Sequence, residues 1–190
     1  MGRETANNES SLVAAARQGD SKALRTLLVR NWTWLKALVY SVVRDPDDTD
    51  DVMQNVCVRV ITRIGTLREP ERLRPWLAAI ARNEALNLRR SRRRAVDRPS
   101  EVNPDSLEAP ALGPDLDARE DAERILAVIR ELPDKYRQVL VLQLTGQMSY
   151  SDIAETLEIP VTTVQVRLVR ARRMVQDRLS GINTNKVPRT

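Results

Sequence analysis

The 190-residue chain contains no histidine and a single cysteine, Cys57. The first absence removes imidazole acid–base chemistry, histidine-bearing triads and the usual zinc-ligand spacings. The second removes an intramolecular disulfide and suits a reducing compartment. Glycine is scarce, at six residues; alternating strand-like patterns are weak and no internal repeat is visible. No apolar run approaches the ~20 residues of a membrane span, and Met1–Ser10 lacks the apolar core of a signal peptide. These absences predict a cytoplasmic, all-α binding protein, not an enzyme, with no metal, no cofactor and no membrane partner.

What is present is basic and segmented. Of the 31 cationic residues only Lys22, Lys36, Lys135 and Lys186 are lysines. Guanidinium forks onto phosphate and guanine edges, so the bias suits a polyanion. The net charge of +5 divides into +7 over residues 1–94, −7 over 95–123 and +5 over 124–190. The acidic stretch holds Pro99, Pro104, Pro110 and Pro114 and no aromatic residue. Such a composition cannot bury enough apolar surface to offset its ordering entropy. Residues 96–119 therefore read as a flexible linker between two basic helical units, 10–95 and 120–180.

In the first unit, Ser10 or Ser11 caps a helix through Arg17, Gly19 ends it, and Asp20 caps a helix over about 21–43. Asp45-Pro46-Asp47-Asp48 breaks the chain and starts a helix over about 48–64. Its apolar stripe is Val52, Met53, Val56, Cys57, Val60 and Ile64, which makes Cys57 a buried thiol. Its polar stripe carries Asp48, Asp51, Gln54, Asn55, Arg59 and Arg63. Gly65 closes the helix and residues 66–70 form a loop. A further helix from Arg74 or Pro75 turns Trp76, Leu77, Ile80, Ala81 and Leu88 inward and Arg82, Asn83 and Asn87 outward. It ends in Arg89, Arg90, Arg92, Arg93 and Arg94, a patch that attracts phosphate without sequence specificity.

The second unit resumes the apolar period at Ala122 and starts another helix at Pro133-Asp134, which Gly146 ends. Residues 149–157, a tight turn at Glu158-Ile159-Pro160 and a long helix over about 161–179 then have helix-turn-helix spacing. Val161, Val164, Leu168, Ala171 and Val175 form the buried stripe of the second helix. The opposite face carries Thr162, Gln165, Val166, Val169, Arg170 and Arg173, types that meet base edges, thymine methyls and phosphates. Thr162 and Thr163 can also donate to phosphate. A free-standing DNA-binding regulator stays open on these residues alone.

Three stretches together resemble a bacterial RNA polymerase sigma factor of the extracytoplasmic-function group, in the sigma-70 family. They are Asp50-Asp51-Val52-Met53-Gln54-Asn55-Val56, Trp76 to Asn83, and Ser149 to Arg173. The resemblance implies a domain 2-like bundle and a domain 4-like helix-turn-helix. It implies a promoter-specificity subunit, monomeric when free, that directs transcription initiation. Asp48, Asp51, Gln54, Asn55 and Arg59 would dock on the clamp helices of the polymerase largest subunit, and the second unit would lie near the flap. Leu67, Arg68, Arg82, Asn83, Asn87, Arg89 and Arg90 would hold the melted minus-ten strand. Thr162, Thr163, Gln165, Val166, Val169, Arg170 and Arg173 would read the minus-thirty-five duplex. An anti-sigma factor is the implied regulator. Three positions depart from the family pattern: Asn55 replaces a frequent acid, Leu67 replaces a frequent aromatic, and Glu158 occupies a frequent glycine position. A left-handed Glu158 costs ~1–2 kcal/mol relative to glycine.

Overall fold

Every regular element among the described residues of the computed structural model, 2–95 and 127–184, is helical. The expected linker at 96–119 lies outside them. In order the elements are α1 (Gly2–Arg17), α2 (Ser21–Val43), α3 (Pro46–Arg63), two 3₁₀ turns (Ile64–Thr66 and Pro70–Arg72) and α4 (Leu73–Ala95). After the undescribed stretch come α5 (127–131), α6 (Asp134–Leu144), α7 (Tyr150–Leu157) and α8 (Val161–Thr184).

The helix boundaries follow from local chemistry. Gly19 takes φ +92°, and the Asp20 carboxylate accepts from the amides of Lys22 and Ala23 at 2.8 and 3.1 Å. Asp45 accepts from the Asp48 amide at 2.9 Å, with Pro46 in the first helical position. Ser149 and Asp152 form a reciprocal capping box at the start of α7. Glu158 is left-handed, at φ 56° and ψ 46°, so the helix-turn-helix corner carries the expected backbone cost. Two glycines act otherwise than the sequence suggests. Gly65 is not a left-handed cap, because α3 tightens into a 3₁₀ turn there. At Gly146 a Cβ would lie 2.7 Å from the Leu142 carbonyl oxygen, so close approach is what requires glycine; the left-handed residue is Gln147. Helix α1 also begins well before Ser10, and α8 runs beyond residue 179.

Helix α2 is the central strut, packing on α1, α3, α4 and α6. Leu35, Leu38 and Val39 of α2 are fully buried with Val13, Val56 and Ala81 from the surrounding helices. Within α2 a buried Asn31 is satisfied in both directions. It donates to the Leu27 carbonyl at 2.8 Å and accepts from Trp34 Nε1 at 2.8 Å. The same apolar core continues through Val139 and Leu142 of α6 to Ile153 of α7 and to Val164, Leu168 and Ala171 of α8.

The two helical groups pack against one another, α6 on α2 and α7 on α4, which the linker reading does not anticipate. The joint centres on Arg137, which is 2% exposed. Its Nε and Nη2 donate to the Ser41 carbonyl in the last turn of α2 at 3.0 and 2.8 Å. Its Nη1 donates to the Leu132 and Arg130 carbonyls at 2.5 and 3.0 Å, and Nη2 also meets Asp134 at 2.6 Å. One buried guanidinium thus satisfies the C-terminal carbonyls of two helices. Arg137→Ala strands the Ser41 and Leu132 carbonyls, at about 1–3 kcal/mol each. Urea unfolding is expected to show a loss of roughly 3 kcal/mol, with partial recovery in Arg137→Lys; unchanged stability would contradict the joint.

Candidate nucleic-acid interface

Three outward faces carry the residues singled out in the sequence. On α3, Asp51, Gln54 and Asn55 are exposed side by side. Arg59 pairs with Glu84 of α4 at 3.0 Å, so it is tied to the bundle as well as to the surface. Asp48 departs from the expected face. It is 5% exposed and forms an ion pair with Arg92 of α4. The helical wheel of α3 placed it outward, but α4 crosses the start of α3 and turns that position into an interior one. Burial pushes the Asp48 carboxyl above its ordinary value, and Arg92 only partly counters this. One turn further along the same face stand Val58 and Ile61, 59% and 52% exposed. Sequence reasoning passed over them; their signal is that both lie off the buried stripe. Cys57 is half-buried rather than buried, and burial raises its thiol.

On α4, Asn83, Asn87 and Arg90 are exposed, and so are Arg92, Arg93 and Arg94. Arg82 is half-buried, and desolvation lowers its pKa against the opposing pull of Glu158, with Arg90 adding to the lowering. Arg89 reaches Asp134 of α6 at 2.7 Å. Near the start of the helix, Arg72 pairs with Asp152 at 2.8 Å and also with Glu155, and Arg74 donates to the Gly146 carbonyl. The second helical group therefore sits over one flank of α4. Leu67 is 3% exposed and belongs to the core. The surface of that loop is made by Thr66 and Arg68 instead, because Leu67 fills the space under the 3₁₀ turn.

On α8 the expected split is present over the middle turns, while Val175 is half-buried rather than buried. Val164, Leu168 and Ala171 are at most 1% exposed, while Thr162, Gln165, Val166, Val169, Arg170 and Arg173 face outward. Thr163 is half-buried. Val166 and Val169 are 49% and 66% exposed, an apolar strip amid cations and amides that matches the mixed chemistry of a major-groove floor. Val161, expected in the buried stripe, is 40% exposed because α8 starts there, beyond the cover of α7.

The Sigma-70 region 2 family model matches residues 27–95, and the Sigma-70 region 4 model matches residues 122–175. The RNA polymerase sigma-H factor of Pseudomonas aeruginosa is 27% identical over 187 residues, covering 94% of this chain and 97% of its own length. The ECF RNA polymerase sigma-E factor of Haemophilus influenzae is 30% identical over 184 residues, covering 92% and 96%. Among solved structures, CnrH in complex with the cytosolic domain of CnrY is similar, with a TM-score of 0.64 and 26% identity, over 92% of this chain and 98% of that one. The chain belongs to the sigma-70 family. Within it the chain is an extracytoplasmic-function sigma factor, a subunit that directs promoter-specific transcription initiation. No helix among the described residues is long and apolar enough to cross a membrane.

Two aspartates give opposite pH signatures. For Asp134, burial alone would raise the carboxyl, but the hydrogen bonds and charges of Arg89 and Arg137 outweigh it and hold the group below 3.8. Its contribution is present above 3.8 and is lost as pH falls through the lowered folded value. Asp48 is raised, so its contribution is full below 3.8 and is lost as pH rises through the folded value. Asp134→Asn is expected to lower the urea midpoint at neutral pH, with the gap from wild type closing well below pH 3.8. Asp48→Asn is expected to match or exceed wild type at neutral pH. The same sign for both substitutions would contradict this electrostatic account.

Proposed function

We propose that the chain works as a cytoplasmic, non-enzymatic promoter-specificity subunit in which two units, 10–95 and 120–180, divide the labour. The observation that carries the reading is α8. It is a helix locked from behind by Val164, Leu168 and Ala171, and it presents Thr162, Gln165, Val166, Val169, Arg170 and Arg173 on its free side. That face reads the minus-thirty-five duplex, with Thr163 at its edge and the flap of core polymerase as its neighbour.

On α3, Asp51, Gln54 and Asn55 dock on the clamp helices of the largest subunit, with the exposed Val58 and Ile61 extending the surface apolarly. Asp48 and Arg59 support that face through Arg92 and Glu84. On α4, Asn83, Asn87 and Arg90 with Arg68 of the preceding loop hold the melted minus-ten strand, flanked by Arg82 and Arg89. Leu67 shapes the loop from inside and leaves its surface to Arg68. Arg89 exchanges Asp134 for a backbone phosphate as the strand binds. Linking two weak sites on one template raises avidity when polymerase fixes their spacing. An anti-sigma factor is proposed as a further partner, since the similar CnrH is held by the cytosolic domain of CnrY in its solved structure.

Mixing the purified chain with core bacterial RNA polymerase is expected to give co-elution, and Asp51→Arg is expected to abolish it while leaving the fold intact by circular dichroism. Polymerase binding that is indifferent to this reversal, or no binding at all, would favour a free-standing regulator working through residues 149–179 alone.

A further inference from the structure

Between the first turn of α6 and the first turns of α8 lies a hollow of about 280 Å³, walled by Lys135, Tyr136, Thr162, Val166, Arg167 and Arg170. It gathers three cations from two helices around one phenol. Lys135 Nζ sits 5.1 Å over the Tyr136 ring. The phenol also stands beside Arg170 in the lining, and its own O–H is a hydrogen-bond donor. Hydrogen bonding from Arg170, with the charge of Lys135 beside it, holds the phenol below its ordinary value.

The neighbouring arginines of α8 are engaged. Arg172 donates to Gln143 at 2.8 Å, Arg173 lies 3.9 Å from Asp177, and Arg178 meets Glu131 at 3.0 Å. Among the described residues, no carboxylate pairs with Lys135, Arg167 or Arg170. Three like charges with no carboxylate partner among the described residues repel one another, and an anion between them removes that cost. Val166 and Arg170 also belong to the outward face of α8, so the hollow borders the groove-reading surface.

We propose that this hollow seats one backbone phosphodiester of the duplex that α8 reads, with Lys135, Arg167 and the Tyr136 hydroxyl as donors. The inference rests on the reading of α8 given above and adds α6 to it. A contact of this kind fixes the register of the helix in the groove and carries no sequence information itself. Lys135 and Tyr136 lie outside the helix-turn-helix, which is why its spacing does not reveal them.

The test uses the full chain and a duplex that it has enriched from a random-sequence pool, alongside a scrambled duplex. Affinity is read across a salt series. A Lys135→Gln/Arg167→Gln variant is expected to bind both duplexes roughly tenfold more weakly, as expected when a charged hydrogen bond is lost. Its log-affinity against log-salt slope should shrink by about 0.9 per phosphate lost, and the ratio between the duplexes should not move. Tyr136→Phe, which keeps the ring, is expected to weaken both duplexes equally with an unchanged thermal midpoint. An unchanged slope, or a changed ratio between duplexes, overturns the phosphate seat while leaving the reading of α8 in place. A wild-type chain that enriches no sequence from the pool overturns the reading of α8 and the seat with it.

Discussion

Arg137 is the interaction on which the arrangement of the whole molecule depends. A buried guanidinium is costly unless every donor is used. Here the carbonyls of Ser41, Leu132 and Arg130 and the Asp134 carboxylate receive them. Those acceptors come from the end of α2, the end of α5 and the start of α6, so the side chain can be satisfied only when both helical groups are in place. Burial lowers the Arg137 pKa and nearby Arg44 lowers it further, while Asp134 opposes them. The joint therefore couples the position of α6 to the central strut of the first group. Arg44 reinforces it by donating to the Arg130 carbonyl at 2.7 Å.

The same economy of charge separates scaffold from surface. Arg59, Arg72, Arg89 and Arg92 are matched with carboxylates on neighbouring helices and hold elements together. Arg90, Arg167 and Arg170 have no such carboxylate partner among the described residues and face outward or into the hollow beside α8. Surface ion pairs contribute little on average, about 0–1 kcal/mol each. Their weight here lies in position: Arg89 and Arg72 place the second group along α4, beside the residues proposed for the melted strand. The half-exposed Arg89–Asp134 pair is the kind of contact a phosphate can replace.

Much of the fold was legible in the sequence because helices announce themselves locally. Most of the α8 stripe, the cap at Asp20, the chain break at Asp45-Pro46 and the tight turn at Glu158 need only neighbours in sequence. What escaped needs neighbours in space. Asp48 sits on the polar stripe of α3, yet α4 brings Arg92 to it and closes the position. Leu67 occupies a turn between helices, but an apolar side chain under a 3₁₀ turn goes inward. Arg137 resembles any arginine on an amphipathic helix until the end of α2 is placed against it. The candidate faces on α3, α4 and α8 were readable from periodicity, while Val58, Ile61, Lys135 and Tyr136 emerged only from their surroundings.

The central claim is that this chain gives core polymerase a promoter preference through two separate reading faces. The most direct measurement is run-off transcription from a fragment library, comparing core polymerase alone with core polymerase plus the chain. The account predicts new transcripts from a limited set of fragments that share two sequence elements at a constant spacing upstream of the start. Start sites no different from those of core polymerase alone, or a single shared element without fixed spacing, would contradict it.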